Sequence, residues 1–157
     1  MVTSAPTNRT QRKITFFISS FHAGGGEKQV IEIANFFAGR GYDTDLVVLQ
    51  PVGEYGSRVE PGVSVISLEA GRMIFSLPGL IAYLRRRKPD VMLAMDEYTH
   101  LLSLAARALA RANTRVVLRI GTMYSELFRR RRGVKSALTK FFIRRFYAYA
   151  DAIVANS

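Results

Sequence analysis

The 157-residue sequence has no cysteine and only two histidines, His22 and His100. Without thiols there is no disulfide framework to staple a small secreted fold. Two imidazoles alone make a structural zinc site implausible, so no metal is expected and a reducing, cytoplasmic setting fits. Long apolar runs are also missing. Hydrophobic residues make up 48% of the chain, but charge interrupts them well before the roughly 20 residues a bilayer crossing needs, which leaves a globular composition and no expected transmembrane helix. Acidic residues are scarce, with 12 Asp and Glu against 23 Lys and Arg for a net charge of +11. A surface of that sign attracts phosphate groups of a nucleotide, a nucleic acid or an anionic lipid, and composition does not choose among them. The opening MVTSAPTNRTQR lacks the apolar stretch of a secretory signal. It reads as a disordered leader over residues 1–12, which argues against export.

What is present alternates. Lys13–Ser19 is a compact apolar run. Glu27–Arg40 carries Val30, Ile33, Ala34 and Phe37 at helical spacing, with Gly39 and Gly41 bracketing its end, and Thr44–Gln50 resumes as an apolar, β-branched run. Strand, helix, strand at these lengths implies parallel pairing through a right-handed crossover. A loop over residues 51–62 leads to a short strand, Val63–Leu68. Met73–Arg87 reads as helical, except that Pro78-Gly79 belongs at a helix start. Asp90–Met95 is a fourth strand. Tyr98–Arg111 is a helix with Leu101, Leu102, Ala105 and Leu109 on one face, and Arg115–Ile120 is a fifth strand. Gly133–Ala150 is a helix and Asp151–Asn156 a sixth strand. The expected fold is α/β: a doubly wound, mostly parallel, Rossmann-like sheet with helices on both faces, forming one domain over 13–157.

Between the first strand and the first helix stands His22-Ala-Gly-Gly-Gly-Glu-Lys28. In a doubly wound sheet this turn lies at the carboxyl edge, where a helix N-terminus offers unpaired amides and partial positive charge. Gly24, Gly25 and Gly26 let backbone approach an oxyanion with no Cβ in the way. The same glycines would also serve a tight turn. Neither named phosphate motif fits: a dinucleotide fingerprint would need glycine where Gln29 stands and an acid where Gln50 stands, and no Gly-Lys-Ser/Thr triplet occurs.

Gly24-Gly25-Gly26-Glu27 resembles the Gly-Gly-x-Glu loop of family-4 glycosyltransferases, retaining enzymes of the GT-B fold. EKQVIEIANFFAGRGYDTDLVVL is similar to their first helix and second strand, RRRKPDVMLAM to the opening of the fourth strand, and ADAIVANS to the strand that closes their N-terminal domain. The resemblance covers roughly residues 13–157. It implies the N-terminal, acceptor-side half of a two-domain enzyme, with the donor-binding C-terminal domain absent from these residues and required in cis, so that this chain alone transfers no sugar. It implies a nucleotide-sugar as donor substrate and no separate cofactor, with a carbohydrate or lipid-linked acceptor bearing the accepting hydroxyl. Gly24, Gly25 and Gly26 would face the donor diphosphate. His22, Glu27, Asp96, Glu97, Arg119, Thr122 and Ser125 are acceptor-side candidates. Glu27 also suits the helix dipole, and His22 suits a solvated loop. Arg119 matches an arginine that family members carry near the end of strand five, where the alternative histidine is absent; it could equally pair with Asp96 or Glu97. His100 reads as structural, and no catalytic residue is assigned.

Two basic segments remain. Arg129, Arg130, Arg131, Arg132, Lys135 and Lys140, followed by Arg144 and Arg145, interleave with Phe141, Phe142, Phe146 and Tyr147, which suits a peripheral contact with an anionic membrane as well as a solvated charge run. Met73–Leu77 with Arg85–Lys88 is a second candidate contact. A nucleic-acid-binding module would use the same residues, but no helix-turn-helix or RNA-binding sheet motif is visible, which argues against that partner. A non-catalytic nucleotide-binding domain of the same fold stays open.

Overall fold

A computed structural model of the chain describes residues 12–69, 75–121 and 145–155. The described residues form six strands, β1 (Lys13–Ile18), β2 (Asp43–Val48), β3 (Val63–Ser67), β4 (Val91–Ala94), β5 (Arg115–Ile120) and β6 (Ala152–Ala155), with helices α1 (Gly25–Gly39), α2 (Ser76–Arg87) and α3 (Glu97–Ala110). All strand pairs are parallel, in the order β3-β2-β1-β4-β5-β6. This is the doubly wound arrangement expected from the alternation. The central strand explains why the pattern was readable: Phe16, Phe17 and Ile18 are all fully buried, because helices cover both faces of a parallel sheet and no alternation survives.

Phe16, Ile18, Leu46 and Val48 pack against Val30, Ile31 and Ala34 of α1. Phe17, Val47 and Met92 turn to the other face, onto Leu80, Tyr83 and Leu84 of α2 and Leu102, Ala106 and Ala110 of α3. The strand order therefore reverses between β1 and β4, successive strands being added outward on either side of that pair. From β1 the chain runs to α1 on one face and from β4 to α3 on the other, the switch point at whose carboxyl ends a doubly wound sheet offers a ligand crevice.

Helix ends follow local chemistry. α1 stops where Gly41 takes φ 84° and its amide donates to the Ala38 carbonyl at 2.9 Å. Pro78 falls in the first turn of α2, where a missing amide costs nothing. The sequence placed Leu109 on the buried face of α3, but it is 56% exposed, and Thr99, His100, Leu102, Ser103, Ala106 and Ala110 are buried instead. The stripe rotates because Thr99 and His100 find hydrogen-bond partners inside, so burying them carries no desolvation penalty of the unpaired kind. The expected helix Gly133–Ala150 lies mostly outside the described residues.

At the amino edge, Asp45 of β2 is fully buried. Its Oδ1 accepts from Arg87 Nη2 at 2.6 Å and its Oδ2 from Arg87 Nε at 3.1 Å and from the Tyr83 hydroxyl at 2.7 Å. Since Tyr83 donates to Asp45, Thr15 Oγ1, 2.6 Å away, must donate to Tyr83. Burial above all, with Asp45 adding to it, pushes the Tyr83 hydroxyl far above the usual phenol range, so it stays a donor. The hydrogen bond to Asp45 raises the Arg87 guanidinium further above its ordinary value. This network pins α2 to the sheet and engages Arg87, one of the run Arg85–Lys88, while leaving its side chain exposed.

Candidate functional site: the carboxyl-edge crevice

Three chain segments meet at the carboxyl ends of β1, β4 and β5. The first is the glycine loop. Gly24 is the N-cap of α1 and has an extended backbone, while Gly25 and Gly26 already belong to the first turn. The expected helix start at Glu27 is thus two residues late, because no apolar residue before Val30 marks the turn.

The three glycines stand in different surroundings. A Cβ on Gly24 would overlap the carboxylate of Glu27, the flexible end of a side chain at the third helical position, where an acid also suits the helix dipole. A Cβ on Gly26 would stand 3.2 Å from Met95 Cε and 3.3 Å from Arg119 Nη1, so glycine there permits close packing onto β4 and β5. A Cβ on Gly25 would have nothing within 4 Å. Gly25 is exposed, its backbone is helical and the fold makes no demand for glycine.

The second segment follows β4. Asp96 is the N-cap of α3: its Oδ1 accepts from the amides of Tyr98 at 3.0 Å and Thr99 at 2.9 Å, and Thr99 Oγ1 accepts from the Asp96 amide at 2.9 Å, a complete capping box. Asp96 Oδ2 accepts from Ser19 Oγ at 2.7 Å, tying the end of β1 to the start of α3. Both oxygens of this acceptor-side candidate are therefore engaged by the fold. Glu97 follows, half-buried, in the first turn. His100 sits one turn further on, 1% exposed, with Nε2 at 3.1 Å from the carbonyls of both Ala94 and Arg119. Two acceptors fix Nε2 as the protonated nitrogen, so Nδ1 accepts from the Tyr147 hydroxyl at 2.6 Å. Burial pushes the imidazole below its usual value, against the opposing pull of the Asp96 carboxylate and the two carbonyls, and it bridges the ends of β4 and β5 as a neutral ring.

The third segment is the end of β5. Arg119 is 6% exposed, and its Nη2 donates to Gln29 Oε1 on α1. Among the described residues it pairs with no carboxylate, neither Asp96 nor Glu97. A buried cation held by a neutral amide is an uncommon state, since buried charges are ordinarily paired. Gln29 is the residue that occupies the third-glycine position of a dinucleotide fingerprint. Its role as the anchor of Arg119, 90 residues away, left no trace in local sequence.

His22 lies exposed on the loop, its amide 3.4 Å from Ser20 Oγ. Of the predicted site residues the structure thus gathers Gly24, Gly25, Gly26, Glu27 and Arg119 at one helix start and sets Asp96 and Glu97 at the next. Thr122, Ser125, Arg129, Arg130, Arg131, Arg132, Lys135 and Lys140 lie outside the described residues. Sequence reasoning missed Gly53, on the loop after β2. Its φ is 128° and ψ 169°, and a Cβ there would overlap the backbone of Phe21 and His22. The loop carrying it buttresses the glycine loop through Phe21 N–H to Val52 O at 2.9 Å and Tyr55 N–H to Phe21 O at 3.0 Å. Among the described residues no group of three or more His, Asp and Glu side chains comes together as a metal site, and no helix is long and apolar enough to cross a membrane.

The family model for Glycosyltransferase Family 4 matches residues 23–157, from the loop just before the glycines to the final residue. The chain belongs to glycosyltransferase family 4. No curated protein sequence matches it. Among solved structures, the sucrose-phosphate synthase of Thermosynechococcus elongatus superposes with a TM-score of 0.64 at 12% identity, covering 92% of this chain and 47% of that one. The lipopolysaccharide outer core galactosyltransferase WaaB, in its apo form, gives a TM-score of 0.56 at 12% identity over 68% of this chain and 32% of that one. At such identity the likeness concerns the fold. The family-4 chain described here spans about a half and about a third of the length of those two proteins.

Proposed function

We propose that this family-4 domain is the acceptor-side half of a retaining glycosyltransferase and that its carboxyl-edge crevice receives the diphosphate of a nucleotide-sugar donor. The observation that carries the reading is Arg119, a buried guanidinium with no carboxylate among the described residues, beside Gly26 and the uncapped amides of α1. A ligand phosphate supplies the missing countercharge. Gly25 leaves open space beside the amides, and once the flexible Glu27 carboxylate turns away those amides with Arg119 offset charge building on the departing nucleotide as the sugar leaves. α3 is the poorer anion site, because Asp96 already fills its N-terminus. The acceptor hydroxyl belongs to a carbohydrate, soluble or lipid-linked. The net charge of +11 supports a peripheral position on an anionic membrane at its cytoplasmic face. The donor-binding half is supplied by a second domain, and residues 1–157 alone transfer no sugar.

Two substitutions test the crevice. Gly25→Ala meets no steric obstacle and replaces a poor helix former by a good one, so it leaves the melting temperature equal or higher while weakening binding of a nucleoside diphosphate. Arg119→Met removes a cation that lacks a carboxylate partner; it too leaves the fold intact and weakens binding by roughly tenfold or more, the worth of one charge-assisted hydrogen bond or better. Amide shifts in a titration with nucleoside diphosphate are expected at Gly24–Glu27. Unchanged binding by both variants, or shifts confined elsewhere, would sink the proposal. Sugar transfer by the 157-residue chain itself would overturn the division of labour.

A further inference from the structure

The opposite edge of the sheet carries a second basic site. Between the C-terminal ends of α2 and α3, below the starts of β4 and β5, lies a cavity of about 590 Å³, within the range of small-ligand sites. Its rim holds Arg12, Arg85, Lys88, Arg111 and Arg115 against a single acid, Asp90. Asp90 is committed, since its Oδ2 accepts from the Lys13 amide at 2.8 Å. Arg85 donates from Nη2 to the Leu109 carbonyl at 3.1 Å. Among the described residues Arg12, Lys88, Arg111 and Arg115 enter no ion pair.

Cations near helix C-termini have an ordinary explanation in the helix dipole. That explanation does not reach the backbone. Lys88 and Arg111 each take the left-handed conformation that ends their helix, at φ 45° and 53°, a position glycine fills at no steric cost and other residues fill under strain. Two helices ending at one cavity both place a long cation where the fold itself favours glycine. We propose that this cavity is an anion site for a phosphoryl group, either of a free phosphate ester or of a lipid head group, separate from the glycine crevice at the other edge.

The test uses the 157-residue chain and the double variant Lys88→Gly/Arg111→Gly. Glycine relieves the strained backbone, so the variant melts at the same or a higher temperature. Titrated with inorganic pyrophosphate, the chain is expected to show a binding component that weakens more than tenfold in the double variant and persists in Arg119→Met, which separates this site from the crevice. Cosedimentation with vesicles containing phosphatidic acid identifies the source. Vesicle binding that falls in the double variant and is competed by pyrophosphate points to a lipid head group; vesicle binding unaffected by the variant, with pyrophosphate binding lost, points to a free ester. Pyrophosphate and vesicle binding both unchanged in the double variant would overturn the proposal. So would a variant that melts lower, since the two cations would then be serving the helix ends.

Discussion

Replacing Gly53 by alanine tests how the crevice is held. Gly53 lies at φ 128° and ψ 169°, a region open essentially to glycine, and forcing another residue there costs about 1–3 kcal/mol. The new methyl would also overlap the carbonyl of Phe21 and the amide of His22. These are backbone atoms, so no side-chain rotation relieves the overlap. Moving the two loops apart gives up Phe21 N–H to Val52 O and Tyr55 N–H to Phe21 O, each worth about 0.5–1.5 kcal/mol. The combined loss is about 2–6 kcal/mol, and at about 2–4 °C per kcal/mol for a chain of this size the melting temperature drops by around 10 °C. The damage should be local before it is global. Amide exchange at Phe21 and Tyr55 speeds up first, and diphosphate binding at Gly24–Gly26 weakens with it. The control is Gly25→Ala, the same chemical change at a position with open space. A Gly53→Ala protein melting within about 2 °C of the parent, with Phe21 still protected, would refute the reasoning.

Two further predictions concern buried polar groups. Asp45→Ala takes the carboxylate acceptor from the Tyr83 hydroxyl, which keeps Thr15, and removes both hydrogen bonds of Arg87, which keeps Asp43 at 3.9 Å. Because the Arg87 side chain is 41% exposed and can rehydrate, the loss is set at about 3 kcal/mol, the low end for breaking a buried pair; a urea midpoint shift equivalent to less than about 1 kcal/mol would count against the network. His100 gives the fold a pH dependence. Burial depresses its folded pKa below the unfolded value of about 6.5, so as pH falls below that value the unfolded chain binds a proton the folded one refuses, and stability is lost at up to about 1.4 kcal/mol per pH unit. Denaturant midpoints between pH 7.5 and 5.5 should therefore fall more steeply for the parent than for His100→Gln, and equal slopes would show that the ring is not the group responsible.

How much of this was legible in the sequence depended on whether the signal was local. Each strand is a short apolar run bounded by turn residues, and helices alternate with them, so parallel pairing through right-handed crossovers was legible without any knowledge of contacts. The glycine loop was legible as the strand-to-helix turn at the carboxyl edge for the same reason. The different surroundings of its glycines were not, since the tight contacts of a Cβ on Gly26 come from Met95, just after β4, and Arg119 of β5. Gly53 looked like ordinary loop punctuation because its constraint comes from the backbone of Phe21, 32 residues earlier in the chain. In α3 a count of leucines chose Leu109 for the core. It could not know that Thr99 and His100 would be satisfied inside, a fact settled by the carbonyls of Ala94 and Arg119.

Asp45 and Arg119, the two charged side chains buried among the described residues, lie toward opposite edges of the sheet and are balanced differently. Asp45 is met by a guanidinium, by the Tyr83 hydroxyl and by Lys13 Nζ at 3.8 Å; its charge is balanced inside the fold and no ligand is needed. Arg119 is met, among the described residues, by an amide and by no carboxylate. A buried ion without a counter-ion lowers stability, and it persists where function requires it. The two residues should therefore respond in opposite ways to neutral replacement. Removing Asp45 loses stability with anion binding at the crevice unaffected, whereas removing Arg119 leaves stability equal or higher and loses binding. A chain in which both substitutions cost stability alike would have its Arg119 charge balanced within the protein, and the crevice would have no vacancy for a phosphate to fill.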